Sequence, residues 1–93
     1  MEGGARLYLH LGSSTVVRFA DIVGIFDIEN TSVSKLTKQY LYQAEKNGRV
    51  CNVSYDIPKS FVVTSDEKRR CFVYISPISA ATLTKRAQQK RFG

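Results

Sequence analysis

Few residues of this 93-residue chain have side chains suited to bond-making chemistry. His10 is the one histidine. It lies between leucines in an alternating run, where an imidazole on the polar face of a strand is the ordinary reading; a ligand or base would need partners at defined spacing. Cys51 and Cys71 sit beside β-type residues (Val50 and Val53; Phe72 and Val73) and read as small strand hydrophobes carrying plain thiols. Asp27 and Glu29 flank Ile28 as a weak carboxylate pair, the pattern of a strand end facing water. Gly3-Gly4, Gly12 and Gly48 are too scattered to cradle a phosphate. No Cys/His cluster has metal spacing and no Ser-His-Asp set can be argued. The chain therefore reads as a non-enzyme, with no catalytic residue, metal or cofactor.

Charge is the stronger signal. Fourteen Lys and Arg face eight Asp and Glu, a net of +6, which favours an anionic partner. Residues 1–34 are slightly acidic, with two basic and four acidic groups, whereas residues 35–93 carry twelve basic and four acidic. The cations fall in runs: Lys35 and Lys38 early on a helix, Lys59 at a loop-to-strand junction, Lys68-Arg69-Arg70 at a hairpin tip, and Lys85-Arg86 followed by Lys90-Arg91 at the end. Each phosphate neutralised releases counterions, so such residues add affinity without reading bases. Arg18, Arg49, Arg69, Arg70 and Arg86 have the fork geometry to address guanine edges. No run approaches the roughly 18–20 apolar residues of a membrane helix, and the N-terminus lacks the pattern of a secretory signal. A cytoplasmic protein is expected.

The elements that must hold these residues follow from periodicity. Leu7-Tyr8-Leu9-His10-Leu11 alternates as a half-buried strand, Gly12-Ser13-Ser14 turns, and Thr15-Val16-Val17-Arg18-Phe19 returns as a hairpin. Phe19-Ala20-Asp21 bends. Residues 22–28 form a third strand, apolar on both faces and so expected at the centre of the sheet. Thr31, Ser32 and Ser34 are N-cap candidates. Val33, Leu36, Tyr40, Leu41 and Ala44 then recur at helical spacing until Lys46-Asn47-Gly48, with Lys35, Lys38, Gln39, Tyr42 and Lys46 outward. Strands are expected over 49–55, 60–64 and 71–75, with a charged hairpin loop over 65–70. Ser79 caps a terminal helix over 80–89 with a weak apolar face (Ala80, Leu83, Ala87). The order βββ-α-βββ-α indicates an α+β fold with a small, largely antiparallel sheet in a single domain. A disordered start over 1–5, a domain over 6–86 and a basic tail over 87–93 complete the division. So many strand hydrophobes in a small domain leave edges to manage, and self-assembly would hide them while multiplying a modest basic patch.

Leu7-Tyr8-Leu9-His10-Leu11-Gly12, Val16-Val17-Arg18 and Asp21-Ile22-Val23-Gly24-Ile25-Phe26-Asp27 resemble the start of the RemB-type proteins of the RemA/RemB family of extracellular matrix regulators. The likeness continues through Ser34-Lys35 and Gly48-Arg49-Val50. Its most distinctive blocks are Ile57-Pro58-Lys59-Ser60-Phe61-Val62-Val63-Thr64 and Val73-Tyr74-Ile75-Ser76-Pro77-Ile78-Ser79, followed by Thr82-Leu83 and Lys85-Arg86. The resemblance spans residues 6–86. It implies a small bacterial protein linked to transcription of biofilm-matrix genes, a LytTR-like fold, and subunits assembled into a ring that contacts double-stranded DNA by repeated basic residues.

The resemblance also departs from that pattern. Where the RemA branch has an arginine before the third strand this chain has Asp21, and where that branch has a basic pair between the fourth and fifth strands only Lys59 remains. The expected DNA-binding set is Arg18, Lys35, Lys38, Lys59, Lys68, Arg69, Arg70, Lys85 and Arg86. Two readings stand. One is an oligomeric DNA-binding transcriptional regulator of matrix genes. The other is a non-enzymatic oligomeric adaptor that binds a protein partner rather than DNA. RNA in place of DNA stays open as well.

Overall fold

Leucine at every second position builds the first element. The computed structural model describes residues 8–29 and 34–92. Strand β1 (Tyr8–Gly12) buries Leu9 and Leu11 completely while Tyr8 and His10 face water. It pairs with antiparallel β2 (Thr15–Arg18), which turns Val17 to the same side. Gly12 at φ 120° and Ser13 at φ 49° make the tight reversal between them. A 3-10 turn, Phe19–Asp21, then redirects the chain into β3 (Ile22–Asp27).

The main sheet has the order β3-β5-β6-β4 and the hairpin is a separate two-stranded sheet. Strands β5 (Ser60–Ser65) and β6 (Cys71–Ser76) form the central antiparallel pair. Strand β3 pairs antiparallel with β5 and lies at the edge, not at the expected centre. Its apolar residues serve two layers: Ile22 and Ile25 pack with the hairpin side and Phe26 with the helix side. Double-sided apolarity here reports cover above and below the strand, not neighbours to left and right. The opposite edge is β4 (Val50–Asn52), shorter than the 49–55 expected, and it runs parallel to β6. Helix α1 (Lys35–Lys46) makes the crossover from β3 to β4, and the β5–β6 hairpin fills the space between those two strands.

The ends of α1 are set by local chemistry. The Ser34 hydroxyl accepts the Thr37 N–H at 3.1 Å, and Gly48 takes the left-handed conformation (φ 68°) that stops the helix. Thr31, Ser32 and Val33 lie outside the described residues. The buried face comprises Thr37 and Ala44, with Tyr40 and Leu41 half-buried. Leu36, expected on that face, is 59 % exposed. Thr37 takes the inward position in its place. Helix α2 (Ala80–Phe92) begins at Ser79, whose Oγ accepts the Thr82 N–H at 3.1 Å, and it continues beyond the expected end at residue 89. The side chains of Lys90 and Arg91 lie outside the described part.

Alternation along β5 splits the interior into two cores. Val62 joins Leu9, Leu11, Val17, Val53 and Leu83 on the hairpin and α2 side. Val63 joins Ala44, Cys71 and Val73 under α1. Each fully buried aliphatic side chain contributes roughly 1.5–3 kcal/mol. Two buried serines tie the layers together. Ser76 Oγ donates to the Leu11 carbonyl and Ser60 Oγ to the Ile78 carbonyl, both at 2.7 Å. Ser60 and Ser76 are themselves partners across β5 and β6, so the two distinctive sequence blocks meet at this point.

Candidate nucleic-acid interface

The loop between β5 and β6 is organised by one carboxylate. Asp66 Oδ1 accepts the N–H groups of Lys68 and Arg70, each at 2.9 Å, while Oδ2 accepts Arg70 Nε at 2.7 Å. The Arg69 N–H closes onto the Asp66 carbonyl at 2.9 Å, which holds Arg69 at φ 62°. The backbone N–H of Arg70, then its guanidinium, hold the Asp66 carboxyl below the usual carboxylate range. Lys68 and Arg69 are left at the tip, exposed and without a carboxylate partner among the described residues.

Behind the tip, two guanidiniums converge on one ring. Arg70 lies 6.0 Å and Arg49 5.5 Å from the Phe72 centroid, and Phe72 stacks on Tyr74 at 6.4 Å. Arg49 is positioned by the end of α1: its N–H donates to the Ala44 carbonyl at 2.7 Å, and its own carbonyl accepts Val73 N–H at 2.9 Å. Stacking on the ring fixes a guanidinium plane and leaves N–H donors at its edge for an anion. The parallel pairing of β4 with β6 therefore adds Arg49 to the loop cations. The expected DNA-binding set omitted it. Its place directly after the Gly48 stop was legible, but its proximity to Phe72 depends on non-local strand order.

The other expected residues are distributed. Arg18 bridges Asp21 at 3.2 Å and Glu67 at 3.3 Å, and these carboxylates, Asp21 first, raise its already high pKa. Its charge is matched by two acids, so it joins the 3-10 turn to the β5–β6 loop. Lys59 precedes β5 and Asp66 follows it, so Lys59 stands at the far end of the sheet, roughly 20 Å away along a six-residue strand. Lys35 and Lys38 lie in the first half of α1, and Lys85 and Arg86 are exposed on α2. One copy of the chain thus joins Lys68, Arg69, Arg70 and Arg49 at one end of the sheet, with Lys59 at the other.

The remaining polar residues have structural explanations. His10 Nε2 lies 2.7 Å from the Ser13 carbonyl in the hairpin turn. Asp27 Oδ1 accepts the Glu29 N–H at 2.8 Å. Burial raises the Cys71 thiol away from the reactive thiolate, while Cys51 is exposed on the edge strand and not packed as a strand hydrophobe. No group of three potential metal ligands occurs among the described residues, and no helix there is long and apolar enough to cross a membrane.

Fold and site together define a small α+β domain with an ordered cationic end of its sheet. Residues 8–87 match the model of the RemA-like family, described as extracellular matrix regulatory protein A-like. The chain is 42 % identical over 82 residues to extracellular matrix regulatory protein B of Bacillus subtilis (strain 168), covering 88 % of this chain and 91 % of that protein. The chain belongs to the RemA-like family. The names of the family and of this relative indicate a regulatory protein and support a role in matrix regulation.

Proposed function

We propose that the protein is an oligomeric, cytoplasmic, DNA-binding regulator of extracellular-matrix genes that holds double-stranded DNA by repeated phosphate contacts. The observation that carries this reading is the ordered cationic end of the sheet, where Lys68 and Arg69 project from a loop fixed by Asp66 and Arg49 and Arg70 flank Phe72. Lys85 and Arg86 on α2 would add a second line of contact. Three cations per subunit that are unmatched among the described residues (Lys68, Arg69 and Arg49), with Arg70 bridged to Asp66, give modest affinity alone, and repetition around an assembly multiplies it. The test is a fluorescence-anisotropy titration of duplex DNA across salt. The expected result is a steep negative slope of log affinity against log salt that flattens in Lys68→Ala/Arg69→Ala. Absence of binding at low salt, or a slope near zero, counts against it.

The adaptor reading retains one specific support. Arg18, three residues before the position where the RemA branch has its arginine, is matched by Asp21 and Glu67. On that reading Lys68, Arg69 and Arg70 tolerate charge reversal in a matrix-gene reporter strain, whereas apolar surface substitutions abolish output.

A further inference from the structure

Two apolar features of this chain face water and belong to different surfaces. The first is the segment between β4 and β5, where Tyr55 is fully exposed and Ile57 is 81 % exposed. The second is a groove of about 580 Å³ between α1 and the outer part of the sheet, floored by Val50, Phe61 and Ile75 and walled by Tyr42. Tyr55 and Ile57 project into solvent and do not fill their own groove.

We propose that the segment Tyr55-Asp56-Ile57-Pro58-Lys59 of one copy seats in the α1 groove of a second copy. Charge complementarity selects this occupant. The groove is lined by one cation, Lys38, and one anion, Glu45, seven residues apart on α1. That spacing is roughly 10 Å of helix. The segment carries Asp56 and Lys59 three residues apart, roughly 10 Å of near-extended chain, and Pro58 holds Ile57 extended. Asp56 can therefore meet Lys38 while Lys59 meets Glu45, with Ile57 between them on the apolar floor. None of these four charges has an opposite-charge partner among the described residues. Because the segment and groove are distinct surfaces, every copy offers both halves of the junction and association can repeat. Seating would also remove Tyr55 and Ile57 from water. The proposal rests on the oligomeric part of the reading above and is independent of its DNA part.

Sedimentation velocity without DNA tests it. The intact chain is expected to sediment as a multimer. Tyr55→Ser/Ile57→Ser should weaken association at least tenfold, as should Tyr42→Glu/Val50→Thr in the groove, with circular dichroism checking that each variant folds. An equimolar mixture of the two variants retains one intact segment and one intact groove, so it should form 1:1 pairs that neither forms alone. Asp56→Lys should weaken assembly and Lys38→Asp in the same chain should restore it. A multimer indifferent to the segment variants overturns this junction while leaving the oligomeric reading standing. Loss of assembly in the groove variant alone gives the groove to another occupant, such as the same face of a second copy, and also overturns it. A chain that stays monomeric at every concentration overturns both.

Discussion

Asp66 fixes the conformation of a loop whose other charged residues are mostly cationic. Its carboxylate accepts two backbone N–H groups and one guanidinium N–H, so loss of the side chain frees three donors and loosens the loop around Arg69. Asp66→Ala should weaken DNA binding several-fold in anisotropy titrations even though it removes a negative charge. The direction separates positioning from charge, since neutralising a carboxylate beside cations would otherwise strengthen binding. The pH dependence follows from the lowered pKa of this carboxyl. A group whose folded pKa is depressed contributes order that is present above the ordinary carboxylate value and lost as pH falls through the lowered one. The amide resonances of Lys68 and Arg70 should therefore hold steady from neutrality down to about pH 4 and shift together below it. Shifts centred near neutrality would contradict the assignment. At this scale the sequence marked Lys68, Arg69 and Arg70 by type and hairpin position. The role of Asp66 was not visible, because an acid in a charged loop is indistinguishable in sequence from a solvated one.

Elements whose ends are set by nearby residues were the most legible. The β1–β2 hairpin, the Ser34 and Ser79 caps, the Gly48 stop and the 65–70 loop all depend on neighbours within a few positions. Placement in the sheet depends on residues far apart, and there the central position expected for β3 failed, while β4 differs only in being shorter than expected. Leu36 fell out of the core for a related reason: apolar spacing defines a helix stripe, but sheet geometry selects which side of that stripe is covered. Two glycines give contrasting predictions. A Cβ on Gly48 meets nothing within 4 Å, so Gly48→Ala should cost only the conformational strain of a positive φ, roughly 1–2 kcal/mol. A Cβ on Gly24 would lie 2.5 Å from the Phe26 ring, which stacks on Phe61 at 5.1 Å. Gly24→Ala should thus displace that ring and cost more than Gly48→Ala in urea denaturation. Equal costs would show that Phe26 moves aside freely.

For the whole molecule, the net of +6 says little about where a partner would bind, since cations of the described residues are divided between separate elements. Lys59 and the Lys68-Arg69-Arg70 run occupy opposite ends of β5, and Arg18 is matched by two acids. Converging four cations required parallel pairing of β4 with β6, a long-range fact that no local spacing encodes. If DNA is held by repeated subunits, affinity should depend on assembly. A chain that no longer associates should bind duplex DNA roughly 10²–10⁴ times more weakly and with a shallower salt slope. Anisotropy on the Tyr55→Ser/Ile57→Ser variant measures this. Full affinity in a monomeric variant would mean that one subunit suffices.

The paired serines at the end of β5 and β6 have a consequence for how the chain reaches this state. Their hydroxyls satisfy the Leu11 and Ile78 carbonyls only in the native pairing of Ser60 with Ser76. A slip of one residue turns every side chain of a strand to the opposite face, so a misaligned β5 or β6 would strand these carbonyls without their donors. Each buried group left unmet costs roughly 1–3 kcal/mol. The two hydroxyls therefore favour the native register of β5 with β6 over a one-residue slip. Ser60→Ala/Ser76→Ala should lose roughly 2–6 kcal/mol in urea denaturation, as two buried carbonyls lose their donors.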